Sequence, residues 1–109
     1  MQKSKELPSM VIYNVTVSVN HDIHDDWMSY MKDTHIPDVM NTGTFTGHRF
    51  LRLVKQEPDG STYCIQYFTD SLSKLQQYMA THGPRLQKDV TDRYGEKAMA
   101  FRTILESVD

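Results

Sequence analysis

At 109 residues, with 39% apolar and 24% charged side chains, the chain has the length and make-up of one globular domain with a single core. A net charge of −2 and an isoelectric point near 6.2 give no electrostatic footing for a phosphate backbone, so nucleic acid is not an expected partner. No apolar run approaches the roughly 18 residues of a membrane span, no signal-peptide pattern follows the N-terminus, and lone Cys64 cannot close an intramolecular disulfide; the expectation is a soluble, cytoplasmic protein.

Residues 1–9 are polar, carry both charge signs and include Pro8, and are expected to be a flexible extension ahead of a domain spanning 10–109. Met10 could itself be the natural start. From Met10 to Val19 the pattern alternates, with Val11, Tyr13, Val15, Val17 and Val19 on one face and Ile12, Asn14, Thr16 and Ser18 on the other. The first set suits a strand laid against helices, whereas the second is half polar.

Asp22 is the expected cap of a first helix, whose Ile23, Trp27, Tyr30, Met31 and Thr34 recur at helical spacing. Pro37 has no N–H, its ring clashes with the carbonyl of Asp33, and it pushes Ile36 out of the α region. The helix is therefore expected to stop or bend at His35, with Thr34 and His35 free to donate to the released carbonyls or to a ligand. Pro37 then opens a short second piece, which Gly43 ends in a left-handed cap. The motif recurs later in the chain. Tyr30-Met31 followed by Thr34-His35-Ile36-Pro37 is echoed by Tyr78-Met79 followed by Thr81-His82-Gly83-Pro84, one residue shorter between the parts.

Residues 48–56 read as a second strand, Glu57-Pro58-Asp59-Gly60 as a turn, and residues 61–68 as a third strand that pairs with the second. Ser71 caps a helix carrying Leu72, Leu75, Tyr78 and Met79; beyond the Gly83-Pro84 break a further helix carries Leu86, Val90 and Tyr94 and closes at Gly95. Residues 98–105 form the last strand. The order β-α-β-β-α-β with right-handed crossovers gives an α+β, ferredoxin-like fold, an antiparallel sheet in the order 4-1-3-2 with both helical segments on one face. The bare face mixes Ile12, Cys64 and Phe68 with Asn14, Thr16 and Gln66, too apolar for water and too polar for a dry core. A homodimer closed face to face over a partly polar cavity satisfies both parts. Whether Arg49 or Arg52, and whether Arg102, join that face depends on strand parity, which the pattern leaves open.

Several stretches resemble a bacterial family known as a domain of unknown function: Ile12-Tyr13-Asn14-Val15-Thr16-Val17, Ile23-His24 with Trp27 and Met31, His35-Ile36-Pro37-Asp38-Val39-Met40, Thr42-Gly43, Leu51-Arg52-Leu53, Ile65-Gln66-Tyr67-Phe68 and Ala100-Phe101-Arg102-Thr103. The resemblance covers nearly everything from Met10 onward, the segment before it being this chain's departure. It implies the dimeric α/β-barrel fold shared with antibiotic-biosynthesis-type monooxygenases and related isomerases and cyclases, and carries no activity with it. In that wider group a histidine near this helix break borders the pocket, so the resemblance implies a ligand-facing role for His35.

Among individual residues, His35 and its echo His82 can either bond backbone freed at the breaks or face a ligand. Asn14 and Gln66 fall on neighbouring strands and one face, where amides can orient a ligand or bond across a dimer. Arg52 and Arg102, like Arg49, can hold a carboxylate with two parallel hydrogen bonds or lie solvated. His21, Asp22, His24, Asp25 and Asp26 look metal-rich, but acids gather at a helix start for dipole reasons and no second ligand pair has suitable spacing, so no metal is expected. Cys64 reads as packing, and nothing in the sequence calls for a cofactor. The expected function is a homodimer enclosing a partly polar cavity that binds a small organic molecule, with cofactor-independent catalysis there left open. The alternative is a structural or regulatory dimer without catalysis. An RNA-recognition module shares the element order, but Tyr13 falls on the core face and the third strand lacks the motif.

Overall fold

The computed structural model describes residues 10–55 and 57–109, so the expected extension 1–9 and Gln56, the expected end of the second strand, lie outside the described residues. The elements run β1 (Val11–Asn20), α1 (His24–Tyr30), a π-helical turn (Met31–His35), α2 (Ile36–Met40), β2 (Gly47–Arg52), β3 (Gly60–Thr69), α3 (Leu72–Thr81), α4 (Gly83–Tyr94) and β4 (Ala98–Glu106). The strands form one antiparallel sheet in the order β2-β3-β1-β4, which is the expected order read from its other edge. None of the described helices is long and apolar enough to cross a membrane.

Alternation in β1 decides where the core sits. Val11, Tyr13, Val17 and Val19 are buried beneath the helices, together with Tyr63, Ile65 and Tyr67 of β3. The helices contribute Trp27, Met31, Ile36 and Val39 from the first half and Leu75, Tyr78, Leu86 and Tyr94 from the second. Each fully buried aliphatic or aromatic side chain here is worth roughly 1.5–3 kcal/mol. The register assigns the parity that the pattern left open. Arg49 pairs with Gln66 and so joins the bare face, whereas Arg52 pairs with Tyr63 and Arg102 with Val15, on the helix-covered side.

Three local expectations are corrected. Asp22 does not cap the first helix: it lies inside a 3₁₀ turn (His21–Ile23), Ile23 occupies the cap position with no side-chain bond, and the Asp22 carboxylate accepts from Lys97 Nζ at 2.6 Å. Ile36 is not driven from the α region, having φ −61° and ψ −44°. The chain also does not stop at His35. The π-helical turn absorbs the proline, with Ile36 N–H donating to the carbonyl of Met31, five residues back. One extra residue per turn rotates the following face by about 100°, which is why Thr34 is exposed and Ile36 and Val39 point inward.

The other expected caps hold. Ser71 Oγ accepts from Lys74 N at 3.1 Å, Gly43 has φ 78°, and Gly95 ends α4 with φ 57° and ψ −133°.

Candidate functional site

Under the sheet, on the helix side, lies a small chamber of about 30 Å³, room for about one water molecule. Its polar groups come from every layer of the fold: Tyr13 from β1, Tyr67 from β3, His35 from the π-helical turn, Tyr78 from α3, Gln87 from α4 and Arg102 from β4. The remaining wall is apolar, including Val15, Met31 and Leu86. The tyrosine rings interlock, with Tyr13 edge-on to Tyr78 at 5.9 Å, tilted against Tyr67 at 6.3 Å and stacked on Phe45 at 6.2 Å.

His35 is the chemically exposed member of the set. Two buried polar side-chain atoms lack a hydrogen-bond partner among the described residues, His35 Nδ1 and Trp27 Nε1, and only His35 borders the chamber. A buried ring nitrogen without a partner costs free energy, and burial holds the His35 imidazole below its ordinary pKa, opposed in part by nearby Asp38. The ring is therefore neutral at pH 7 and carries an unused nitrogen. Tyr30 lies against it at 6.0 Å. Burial also raises the Tyr13, Tyr67 and Tyr78 hydroxyls above the ordinary phenol value, Tyr67 and Tyr78 well above it, so all three stay protonated and can donate. Arg102 lowers each of them in part, and its guanidinium and the Gln87 amide stand beside the Tyr13 hydroxyl. Arg102 itself is exposed, on an edge strand, so it forms the solvent side of the chamber.

The expected site residues thus divide. His35 and Arg102 meet at the chamber. Asn14 and Gln66 meet on the other side of the sheet, where Gln66 Nε2 donates to Asn14 Oδ1 at 3.3 Å and Asn14 Nδ2 donates to Thr16 Oγ1 and Thr103 Oγ1, each at 3.2 Å. Arg52 joins neither group; it borders a groove of about 220 Å³ with Met28, Phe50 and Tyr63. Sequence reasoning misses Tyr13, Tyr67, Tyr78 and Gln87 as site residues. A signal exists: a phenol on a core-facing strand position needs a partner for its hydroxyl, and Tyr13 and Tyr67 both occupy such positions.

The acidic start of the first helix resolves into separate contacts. His24 Nδ1 meets Asp25 Oδ1 at 2.9 Å and its Nε2 meets the Tyr63 hydroxyl at 2.6 Å, while Asp26 accepts from the Tyr94 hydroxyl at 2.6 Å. Among the described residues, no three His, Cys, Asp or Glu side chains gather as a metal site would require.

The fold has parallels among solved structures. The chain superimposes on an EthD-like protein from Ralstonia eutropha JMP134 with a TM-score of 0.68 and 18% identity, covering 94% of this chain and 96% of that one. A dimeric ferredoxin-like protein from an uncultured marine organism matches with a TM-score of 0.61 and 12% identity over 94% and 98% of the two chains. An antibiotic-biosynthesis-monooxygenase-like protein from Deinococcus radiodurans matches at 0.50 and 16% over 91% of each. At such identities the likeness establishes the ferredoxin-like fold alone. No curated protein matches the chain in sequence. Residues 10–108, nearly the whole chain, match one family model, and the protein belongs to that family: Domain of unknown function (DUF4286).

Proposed function

We propose that the protein is a cytoplasmic homodimer, joined through the bare sheet face, in which each subunit binds a small organic acid at the His35 chamber. One observation carries the ligand reading: six polar side chains from six separate elements converge on a chamber where a neutral imidazole nitrogen has no partner. At about 30 Å³ the chamber admits a water-sized group only. A larger ligand would enter past exposed Arg102, its carboxylate held by the guanidinium and its apolar body lying on Ala100 and Ile104, which flank Arg102 on the same face of β4. Its reacting end would then meet His35 and the tyrosine hydroxyls. A neutral imidazole with a free nitrogen is a proton acceptor, and protonated phenols stabilise an oxygen that gains negative charge; together they suit proton abstraction beside a carbonyl without any cofactor.

The dimer reading rests on the opposite face. Met99 and Phe101 are 61% and 62% exposed there, alongside exposed Leu51 and Leu105 and half-buried Ile12 and Phe68. A patch of that kind on a single-layer sheet calls for a cover, and the marine protein of the same fold is dimeric. The hydrogen-bonded row of Asn14, Gln66, Thr16 and Thr103 supports a second reading in which assembly is the whole function, since Asn14 has spent its amide on neighbours.

Thermal denaturation against a panel of small aliphatic and aromatic carboxylic acids separates the two. Ligand binding raises the wild-type Tm by several degrees and leaves Arg102→Gln unmoved. Failure of every acid to raise it favours assembly alone. Sedimentation of Phe101→Glu tests the interface: the wild type is expected as a dimer and the variant as a folded monomer. A wild-type monomer would refute the interface.

A further inference from the structure

Tyr78 forms part of two walls. Besides the chamber it lines a larger hollow of about 370 Å³ between the Thr42–Thr44 loop and α3. The hollow is built by one helical face, because Lys74, Gln77, Tyr78, Thr81 and His82 follow the three-and-four spacing that stacks side chains along α3. Gly43, with φ 78°, turns the facing loop so that the Thr42 and Thr44 hydroxyls come within 3.1 Å of each other.

The donors in this hollow are unevenly committed. The Thr42 hydroxyl donates to the Val39 carbonyl at 2.8 Å and the Thr81 hydroxyl to the Gln77 carbonyl at 2.7 Å, so both protons are spent on backbone. The Lys74 ammonium, the Gln77 amide and the His82 ring remain. Among the described residues, none lining the hollow is acidic and Lys74 makes no ion pair, whereas Lys88 and Lys97 are held by Asp92 and Asp22. A concave space of small-molecule size, with one fixed positive charge, further N–H donors and no carboxylate, is complementary to an oxyanion.

We infer that this hollow is an oxyanion-binding site, which takes the carboxylate or phosphate group of a small molecule. The assignment goes beyond the organic-acid reading of the His35 chamber and does not depend on it. Lys74 supplies the charge, Gln77 a directed hydrogen bond from the next turn of α3, and His82 another from the residue that caps it.

Inorganic phosphate and acetate, titrated separately at constant ionic strength into isotope-labelled full-length protein, test this by NMR. Saturable shifts are expected at Lys74, Gln77 and His82, with midpoints of about 1–10 mM. The anion with the lower midpoint names the chemical group. Lys74→Gln, at an exposed position, should weaken binding by about tenfold or more. Gln77→Glu, which places a negative charge in the hollow, should abolish it, and Lys88→Gln on α4 should leave it unchanged. An unaltered spectrum elsewhere confirms that each variant is folded. Absence of saturable shifts for both anions up to about 50 mM, or equal binding by Lys74→Gln and wild type, overturns the assignment.

Discussion

The two helical segments of this protein share a Tyr-Met and Thr-His-x-Pro motif, and one additional residue between its parts separates their outcomes. In the second, Tyr78 and His82 are four apart, α3 ends at Thr81, and α4 begins afresh at Gly83. In the first, Tyr30 and His35 are five apart, and the additional residue is taken up by a π-helical turn that runs on into α2. Both histidines nonetheless lie against their tyrosine in the same way, at 6.0 Å and 31° for the first pair and 6.2 Å and 38° for the second. The wider turn keeps the ring pair together while rotating α2 about the helix axis. It leaves His35 beneath the sheet with a buried, unpartnered nitrogen, and His82 at the rim of a polar hollow. An inserted residue in a helix thus turns one of two equivalent histidines toward the inner chamber.

Removing that residue is the most forceful way to break the contrast. Deleting exposed Asp33 should convert the π-helical turn to α-helix and rotate Ile36 and Val39 off the core. At roughly 1.5–3 kcal/mol for each side chain, the expected loss is about 3–6 kcal/mol in urea denaturation. A loss below about 1 kcal/mol would mean that the turn is not what positions α2.

A smaller effect, of opposite sign, is expected at His35. Leucine there removes an unpartnered buried nitrogen and should stabilise the fold by about 1–2 kcal/mol, whereas His82→Leu, at a half-exposed site, should change little. The pH dependence has a definite sign. The folded His35 pKa lies below the ordinary 6.5, so the folded chain binds fewer protons than the unfolded one. Stability from this group is whole above pH 6.5 and is lost as pH falls from 6.5 toward the lower folded value. His35→Leu should flatten that part of the stability profile, and an unchanged profile would place the titrating group elsewhere.

The helix starts sharpen the comparison with the smallest effects. Ser71→Ala removes a true cap and should cost about 1 kcal/mol in the same assay. Asp22→Ala should cost less than that, because Asp22 caps nothing and meets only Lys97 at the surface. Equal losses would mean that the Asp22–Lys97 contact matters as much as a cap.

The sheet was legible because alternation is a strong signal: Val11 to Val19 announced a strand with one covered face, and the prolines at 37 and 84 announced paired helical pieces. Parity on the edge strands was not legible. Along β4, Met99, Phe101, Arg102, Ile104 and Leu105 are all exposed, so burial imposes no pattern of its own there. The expectation for Ile36 failed because a proline only biases the residue before it away from the α region, and a helix that continues through it overrides that bias with no marker in residue type. Half of the site was legible as well. His35 stood out by its place beside Pro37, but its partners did not: Tyr13 and Tyr67 carried their hydroxyls on positions that otherwise read as core, and Gln87 sits in α4, which showed only a helical pattern.

The most direct measurement tracks the ring nitrogens of the five histidines by long-range ¹H–¹⁵N NMR across pH. In the folded protein the His35 ring is expected to stay neutral as pH falls past 6.5 and to acquire its proton only at lower pH, with Nδ1 showing no hydrogen-bond partner. A His35 ring that titrates at or above 6.5, or an Nδ1 bonded to backbone, would contradict its place as a buried, unpartnered imidazole bordering the chamber.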